Sequence, residues 1–544
     1  MSELRFLRRA WADLGRPVGE LDLVDPLPVP ALPSRLSTAA LATESVAAAS
    51  LAGAVASVTG TDRPAPRVRL SGPRIAAAVS SEKSFRLDGD PPDVWAPMSG
   101  FFRARDGWVR THGNYPHHAA ALRRALGLGA DATADDLAEV LAQTDAADAS
   151  QRVTAAGGLC VAVAPEQPSV DAALAATPLV EVRRLGDAAP RGPLPGAAGA
   201  PLAGVRVLDL TRVIAGPICT RTLALFGADV LRIDSPRLPE PEWQHLDSGA
   251  GKRSALVDAQ TPAGRATLER LLADADVLVT GYRPDAIAGL GLDADDVAAR
   301  HPGLVVVQLA AWGFEPVDRA RRGFDSIVQA ASGISRIEGG ERPGALPAQV
   351  LDHATGYLLA AGAVTALQRQ RAGGGSWSVR GSLRRTAAEL LQAQRTAEPS
   401  PPQPLSAEAR ARQEVEFTGP PRVRTVLPAA EFEGLPEGWP SAPRAWGSDL
   451  PEWTDRGPGS AWFRATRPGC GSDLRGPRDA RNVFPCHPKG AEEREGPERP
   501  GLPPQAGHSQ ARSKQVLRAV LEASGRVARR GRREERRPRA DRLG

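Results

Sequence analysis

The clearest hydrophobic pattern lies between residues 203 and 313, where short unbroken apolar runs alternate with helical periodicity. VRVLDL (205–210), ADVLRID (228–234), DVLVT (276–280) and LVVVQLA (304–310) predict four strands. Between them, Gly216-Pro217 opens a helix that closes at Gly227. Proline just inside a helix start and glycine just past its end fit the geometry of the two termini. Residues 262–273 predict a second helix, with Thr261 as N-cap and Pro262 in its first turn, and residues 293–300 a third, capped by Asp293. Continuous apolar runs, unlike alternating ones, mark strands covered on both faces. Strands alternating with helices at this spacing predict βαβ units and a parallel sheet.

The flanking regions read differently. Residues 37–57 predict a helix with little side-chain bulk, and 66–70 (PRVRL) a strand. In 101–113, Asp106-Gly107 sits between two alternating runs, a hairpin signal. Residues 117–127 predict a helix ending at Gly127, and 134–143 another. Cys160 packs in the strand run LCVAVAP. DAAPRGPLPGAAGAP (187–201) is a Pro/Gly/Ala linker. Beyond the βαβ stretch, 354–371 predicts a long Ala/Leu helix, 371–376 a turn, and 377–391 a strand followed by a helix. A faint internal similarity relates 37–80 to 356–391, each an Ala-rich helix, a turn, a short Val/Arg strand and a further helix. The division is therefore 1–190 as a smaller α+β domain, 191–202 as linker, 203–395 as a Rossmann-like sheet domain, 396–454 as an extended wrapping arm, and 455–544 as an Arg-rich tail. The tail has too little apolar content to offset its chain entropy, so disorder is expected there, apart from a short helix at 512–524.

Charge sharpens this division. Of 68 Lys+Arg and 63 Asp+Glu, 21 and 11 fall from Asp455 onward, so the preceding chain carries 47 and 52. The formal net charge of +5 belongs to the tail. The mildly acidic body has no electrostatic footprint for nucleic acid. The four cysteines show no CxxC spacing, which fits a reducing, cytoplasmic setting. No unbroken apolar run of about 18 residues is present and no membrane span is expected. The charged N-terminus does not read as a signal peptide.

Six segments in order carry a resemblance to the family III (CaiB/BaiF-type) CoA-transferases. They are AGVRVLDLTRVIAGPICTRTLALFGADVLRID (203–234), GKRSALVD (251–258), ADVLVTGYRPDAIAGLGL (275–292), HPGLVVVQLAAWG (301–313), GFDSIVQAASG (323–333) and VLDHATGYLLAAGAVTAL (350–367). RARDGWVRTHGNYPHHAAALRRALG (103–127) resembles the family's smaller domain, here placed before the βαβ start. The resemblance implies an α/β enzyme that moves CoA between an acyl-CoA and a carboxylic acid, with CoA as substrate and no permanently bound cofactor. It also implies an interlocked homodimer.

The resemblance makes Asp352 the nucleophile, forming a mixed anhydride with the acyl group and then an aspartyl-CoA thioester. The sequence places Asp352 immediately before a helix starting at His353, whose free N–H groups and dipole would stabilise negative charge. The same position fits a plain N-cap, and the two roles are compatible. For CoA, the resemblance points to Arg212, Ile214 and the Gly216 turn, where backbone approaches a phosphate or pantetheine chain closely. Ile214 replaces a glutamine of some members. Asp234 ends the second strand, where an acid can hold a ribose hydroxyl. Lys252 and Arg253 are candidates for the CoA phosphates, and Arg283 lies at the crevice side of the third strand. Solvated surface charge is the alternative for these basic residues. The turn lacks GxGxxG, so no dinucleotide fingerprint is present.

Two rivals follow. One is an acyl-CoA racemase of the same superfamily, whose members pair histidine with aspartate in "GHD". The chain reads Gly323-Phe324-Asp325, and a phenyl ring exchanges no proton. His353 is a possible substitute. The other rival is a catalytically inactive CoA-binding protein. His112, Tyr115, His117 and His118 cluster in THGNYPHH without a second cluster at metal-ligand spacing, so no metal site is expected.

Overall fold

A computed structural model of the chain describes residues 4–192, 199–397 and 406–454. The tail expected from residue 455, its 512–524 helix, and part of the linker lie outside the described residues. The strands are, in chain order, β1 (Arg86–Leu87), β2 (Gly100–Ala104), β3 (Gly107–Thr111), β4 (Cys160–Ala162), β5 (Glu181–Gly186), β6 (Arg206–Leu210), β7 (Asp229–Asp234), β8 (Lys252–Leu256), β9 (Val277–Thr280), β10 (Val305–Ala310), β11 (Ser376–Ser382), β12 (Glu414–Phe417) and β13 (Val423–Val426). The helices that matter below are α1 (Thr38–Ala56), α2 (Ala215–Leu225), α3 (Asp325–Ala331), α4 (Val350–Gly373) and α5 (Leu383–Leu391).

Seven strands form one sheet in the order β5-β11-β10-β9-β6-β7-β8. Every neighbour is parallel except β5, which runs antiparallel to β11. The parallel sheet expected between 203 and 313 is present. Chain order reverses between β6 and β9, creating a crevice at their C-terminal ends, where open α/β sheets bind ligands. Strand residues alternate between two cores. Val207, Val230, Val277, Val279, Val305 and Val307 join the core shared with α1, α2 and α4. Leu208, Leu231, Leu278 and Val306 join a second core on the opposite face. This two-sided burial is the cause of the unbroken apolar runs.

Several local expectations shift. Residues 66–70 form no strand, only a single bridge between Val24 and Val68. The hairpin at Asp106-Gly107 is present as β2–β3, extended by β4 into a three-stranded sheet with its own small core. Thr261 caps its helix by accepting from Gly264 N–H at 3.0 Å. Asp293 stands at its helix N-cap but makes no side-chain cap, because its carboxylate pairs with Arg319 at 3.2 Å.

α1 and α4 pack against each other at the centre of the main core. Although no unbroken apolar run is long enough, both are long and apolar enough by overall composition to cross a membrane, and both are buried inside the fold. Small residues let these helices approach their neighbours. A Cβ built on Gly356 of α4 would lie 2.5 Å from the Ala215 carbonyl oxygen and 2.9 Å from Ile218 Cβ of α2. Neither neighbour is a flexible chain end, so Gly356→Val is expected to cost about 1–3 kcal/mol by overpacking. A urea titration checks this, and an unchanged midpoint would show that the two helices separate freely.

Candidate active site

Beside the crevice lies a cavity of about 450 Å³ with Asp352 on its lining. Asp352 is the third residue of α4, which begins at Val350. It therefore does not precede the helix, as the sequence suggested. The local N-cap, Gln349, makes no side-chain cap. The cap comes instead from α3: Asp325 Oδ2 accepts the Asp352 N–H at 2.9 Å, and the Leu351 N–H also points to this carboxylate. His353 N–H donates to the Gln349 carbonyl at 3.2 Å. The N–H groups of Leu351, Asp352 and His353 are thus engaged and not free for a substrate, which corrects the expected source of oxyanion donors. Gln329 holds Asp325 in turn, donating to Oδ1 at 2.5 Å while its own oxygen accepts Leu346 N–H at 2.9 Å.

The result is a pair of buried carboxylates. Burial, opposed by these hydrogen bonds, pushes Asp325 up to about 6. Burial, and then the neighbouring Asp325 charge, holds Asp352 well above the usual carboxylate range. Among the described residues no side-chain hydrogen bond or ion pair ends on the Asp352 carboxylate. His353 lines the same cavity, but burial pushes it down to about 3, so it is neutral. Phe324 stacks on His112 at 4.1 Å between ring centres, and on Tyr115 at 6.1 Å. This use of THGNYPHH is packing against the residue that precedes Asp325.

The turn after β6 also lines the cavity, through Val213 and Ile214. Val213 has φ +73°, left-handed backbone that a β-branched residue rarely adopts. Its N–H donates to Glu240 at 2.7 Å, and Glu240 pairs with the buried Arg232. Such strain persists only where surroundings over-determine it, and it clusters at functional sites. Ile214 follows on the cavity lining and enters α2.

Of the nominated positions, only Asp352 and Ile214 line this cavity. Arg212 lies over the Tyr115 ring at 5.2 Å, with Nε and Nη2 buried and unpartnered. Gly216 is buried in the first turn of α2, where an added Cβ would sit 2.4 Å from Thr211 Cβ, so packing alone requires glycine there. Asp234 is committed to Arg232 at 2.8 Å in the buried network. Lys252 is also buried: its ammonium binds Asp209 at 3.2 Å and the Pro217 carbonyl at 2.9 Å, which ties β8 to β6 and α2. Arg253 pairs with Asp229 at the start of β7, the end of the sheet away from the crevice. Both cations are therefore engaged within the protein. Arg283 donates to the Ala320 carbonyl at 3.1 Å. Sequence reasoning missed Asp325, Gln329 and Glu240. Asp325 carried one usable signal, an acid opening a helix directly after the aromatic of Gly323-Phe324-Asp325. Cys160 and Cys219 are buried, and burial pushes the Cys160 thiol up to about 12, so neither is a reactive thiolate.

Fold and site together define an α/β protein with a helix-borne carboxylate opening on a cavity beside the switch point of a parallel sheet. The model of the family CoA-transferase family III matches residues 202–419 of this chain. The succinyl-CoA–D-citramalate CoA-transferase of Chloroflexus aurantiacus is 34% identical over 190 residues, 32% of this chain and 47% of the relative. The succinyl-CoA:glutarate CoA-transferase of Mus musculus is 34% identical over 194 residues, 32% of this chain and 44% of the relative. A solved CaiB/BaiF family protein from Brucella suis is 27% identical, with a TM-score of 0.33, over 36% of this chain and 56% of its own. The chain spans about half the length of the curated relatives it matches.

Proposed function

We propose that this protein is a CoA-transferase in which Asp352 is the nucleophile. The observation that carries this reading is the position of Asp352. It lies within the segment matched by the family III model, its carboxylate has no hydrogen-bond or ion-pair partner among the described residues, and it opens on a cavity large enough for an acyl group. An ionised Asp352 oxygen attacks the thioester carbonyl, the C–S bond breaks, and CoA thiolate leaves a mixed anhydride. The thiolate then attacks the aspartyl carbonyl of the anhydride, releasing the donor acid and forming an aspartyl-CoA thioester. The acceptor carboxylate attacks that thioester, giving a second anhydride and thiolate. Attack of the thiolate on the acceptor's carbonyl yields the new acyl-CoA and restores Asp352. No oxidant or metal enters this balance.

Since the N–H groups of Leu351, Asp352 and His353 are engaged, we assign oxyanion stabilisation to the first turn of α2. Ile214 enters that turn at the cavity wall, and a helix start leaves its first N–H groups without intrahelical partners. Two copies of the chain are expected to associate, and sedimentation velocity reads this directly. The test of the activity is intact-mass spectrometry after incubation with a panel of acyl-CoAs and hydroxylamine or borohydride trapping. An adduct located at Asp352 supports the reading. CoA binding with no adduct from any donor would leave a binding protein.

A further inference from the structure

The cavity carries a second feature that the acyl-transfer chemistry does not use. Arg110 lies on β3, paired through its backbone to Phe101 and Val161. Alternation along the strand sends Val109 into the small core and Arg110 to the opposite face, which His112 shares two residues on. The Arg110 residue is only 8% exposed, and its guanidinium sits over the Trp95 ring at 4.7 Å and the Phe101 ring at 4.9 Å. Its Nε is buried without a hydrogen-bond partner.

A buried guanidinium is ordinarily paired, because an uncompensated interior charge is costly. Among the described residues no carboxylate pairs with Arg110. The two other acids on the cavity lining do not supply the missing charge. Asp247 is engaged by Ser81 at 2.5 Å and Thr425 at 2.7 Å. Glu82 is pushed by burial to about 7, so it is largely protonated below neutrality. Desolvation alone pulls Arg110 down, to about 10, with no acid opposing it. Lys83, the other basic residue on the lining, donates to the Pro347 carbonyl at 3.2 Å.

The position of Arg110 relative to Asp352 is set by a row of rings. Arg110 covers Trp95, Trp95 meets His112 edge-on at 6.0 Å, His112 stacks on Phe324, and Phe324 precedes the Asp325 that caps Asp352. Cation and nucleophile therefore sit on the lining of one cavity, separated by an aromatic wall. An apolar wall between an attacking carboxylate and an unpaired guanidinium fits a ligand with a carbon chain and an acid at each end. A guanidinium fork matches a carboxylate bidentately.

We propose that Arg110 anchors the remote carboxylate of a dicarboxylic acid, whose other carboxyl group is the one activated at Asp352. This rests on the acyl-transfer reading for the role of Asp352, but the anchor itself is a binding claim and is tested as one. Isothermal titration of the full chain with succinate, glutarate and adipate is compared with butyrate, valerate and hexanoate. At least one dicarboxylate is expected to bind on the order of 10–100-fold more tightly than the monocarboxylate of equal length, the range for a charge-assisted pair. Arg110→Met should remove that preference and Arg110→Lys should keep part of it, with thermal melting confirming that both variants fold. A wild type without preference for any diacid, or a preference that survives Arg110→Met, overturns the proposal. Arg110-dependent diacid binding without any acyl transfer would sink the enzymatic reading alone. Acyl transfer confined to monocarboxylates would sink the anchor alone.

Discussion

Asp352→Asn is expected to abolish the acyl adduct and to reduce acyl transfer by at least ~10³-fold, the scale seen when a covalent nucleophile is removed. The same substitution should raise the melting temperature at pH 7. Asp352 is buried, its carboxylate has no partner among the described residues, and its neighbour is another acid. Replacing it with a neutral side chain of nearly equal volume removes the cost of ionising it in that environment. Loss of chemistry with a gain in stability is the signature of a residue retained for function against folding. A misfolded variant would lose both. An adduct that persists in Asp352→Asn would mean that another group attacks the thioester. Intact activity with an unchanged melting point would reduce Asp352 to a helix-terminus residue.

How much of this was legible in the sequence depended on whether the cause of a feature was local. β6, β7, β9 and β10 were readable because burial on both faces forces apolar side chains at every position. β8 is not readable as a strand, although it lies within the GKRSALVD motif. Its first residue is a lysine, which strand patterning excludes from a core, and it is buried only because Asp209, 43 positions earlier, supplies the counter-charge. β5 escaped notice for a related reason. It precedes the Pro/Gly linker and its adjacent Arg183 and Arg184 are both exposed, so nothing near it says that it closes the sheet against β11. The start of α4 was misplaced because capping rules look for a local side chain, whereas Asp325 reaches it across 27 positions. Asp352 was singled out through its motif. The placing of Asp325 beside it, and of an arginine without a carboxylate partner among the described residues on the same cavity lining, came from folding.

That long-range cap makes Asp325→Asn the more informative substitution on pH. In the wild type, burial and the Asp325 charge both oppose ionisation of Asp352, so formation of the adduct should rise with pH well beyond the ordinary carboxylate range. Removing the Asp325 charge leaves burial as the main cause. The acid limb of the labelling rate should therefore move to lower pH, giving severalfold faster labelling on the acidic side. Stability should show the opposite bookkeeping. A carboxyl group whose folded-state pKa is raised stabilises most below its unfolded pKa, near 3.9, and loses that contribution as pH rises through the folded value, here about 6 for Asp325. Wild-type stability should accordingly fall across pH 4–6 from this group, and the asparagine variant should be spared that fall. The variant also gives up part of the cap on Leu351 and Asp352, at a cost of about 1 kcal/mol at any pH. It should thus be the less stable protein at pH 4, with the gap closing or reversing by pH 7. Chemical denaturation at the two pH values, beside the labelling profile, reads both effects. A labelling profile that stays in place would show that the Asp325 charge does not reach Asp352. A stability gap constant with pH would show that Asp325 acts only as a cap.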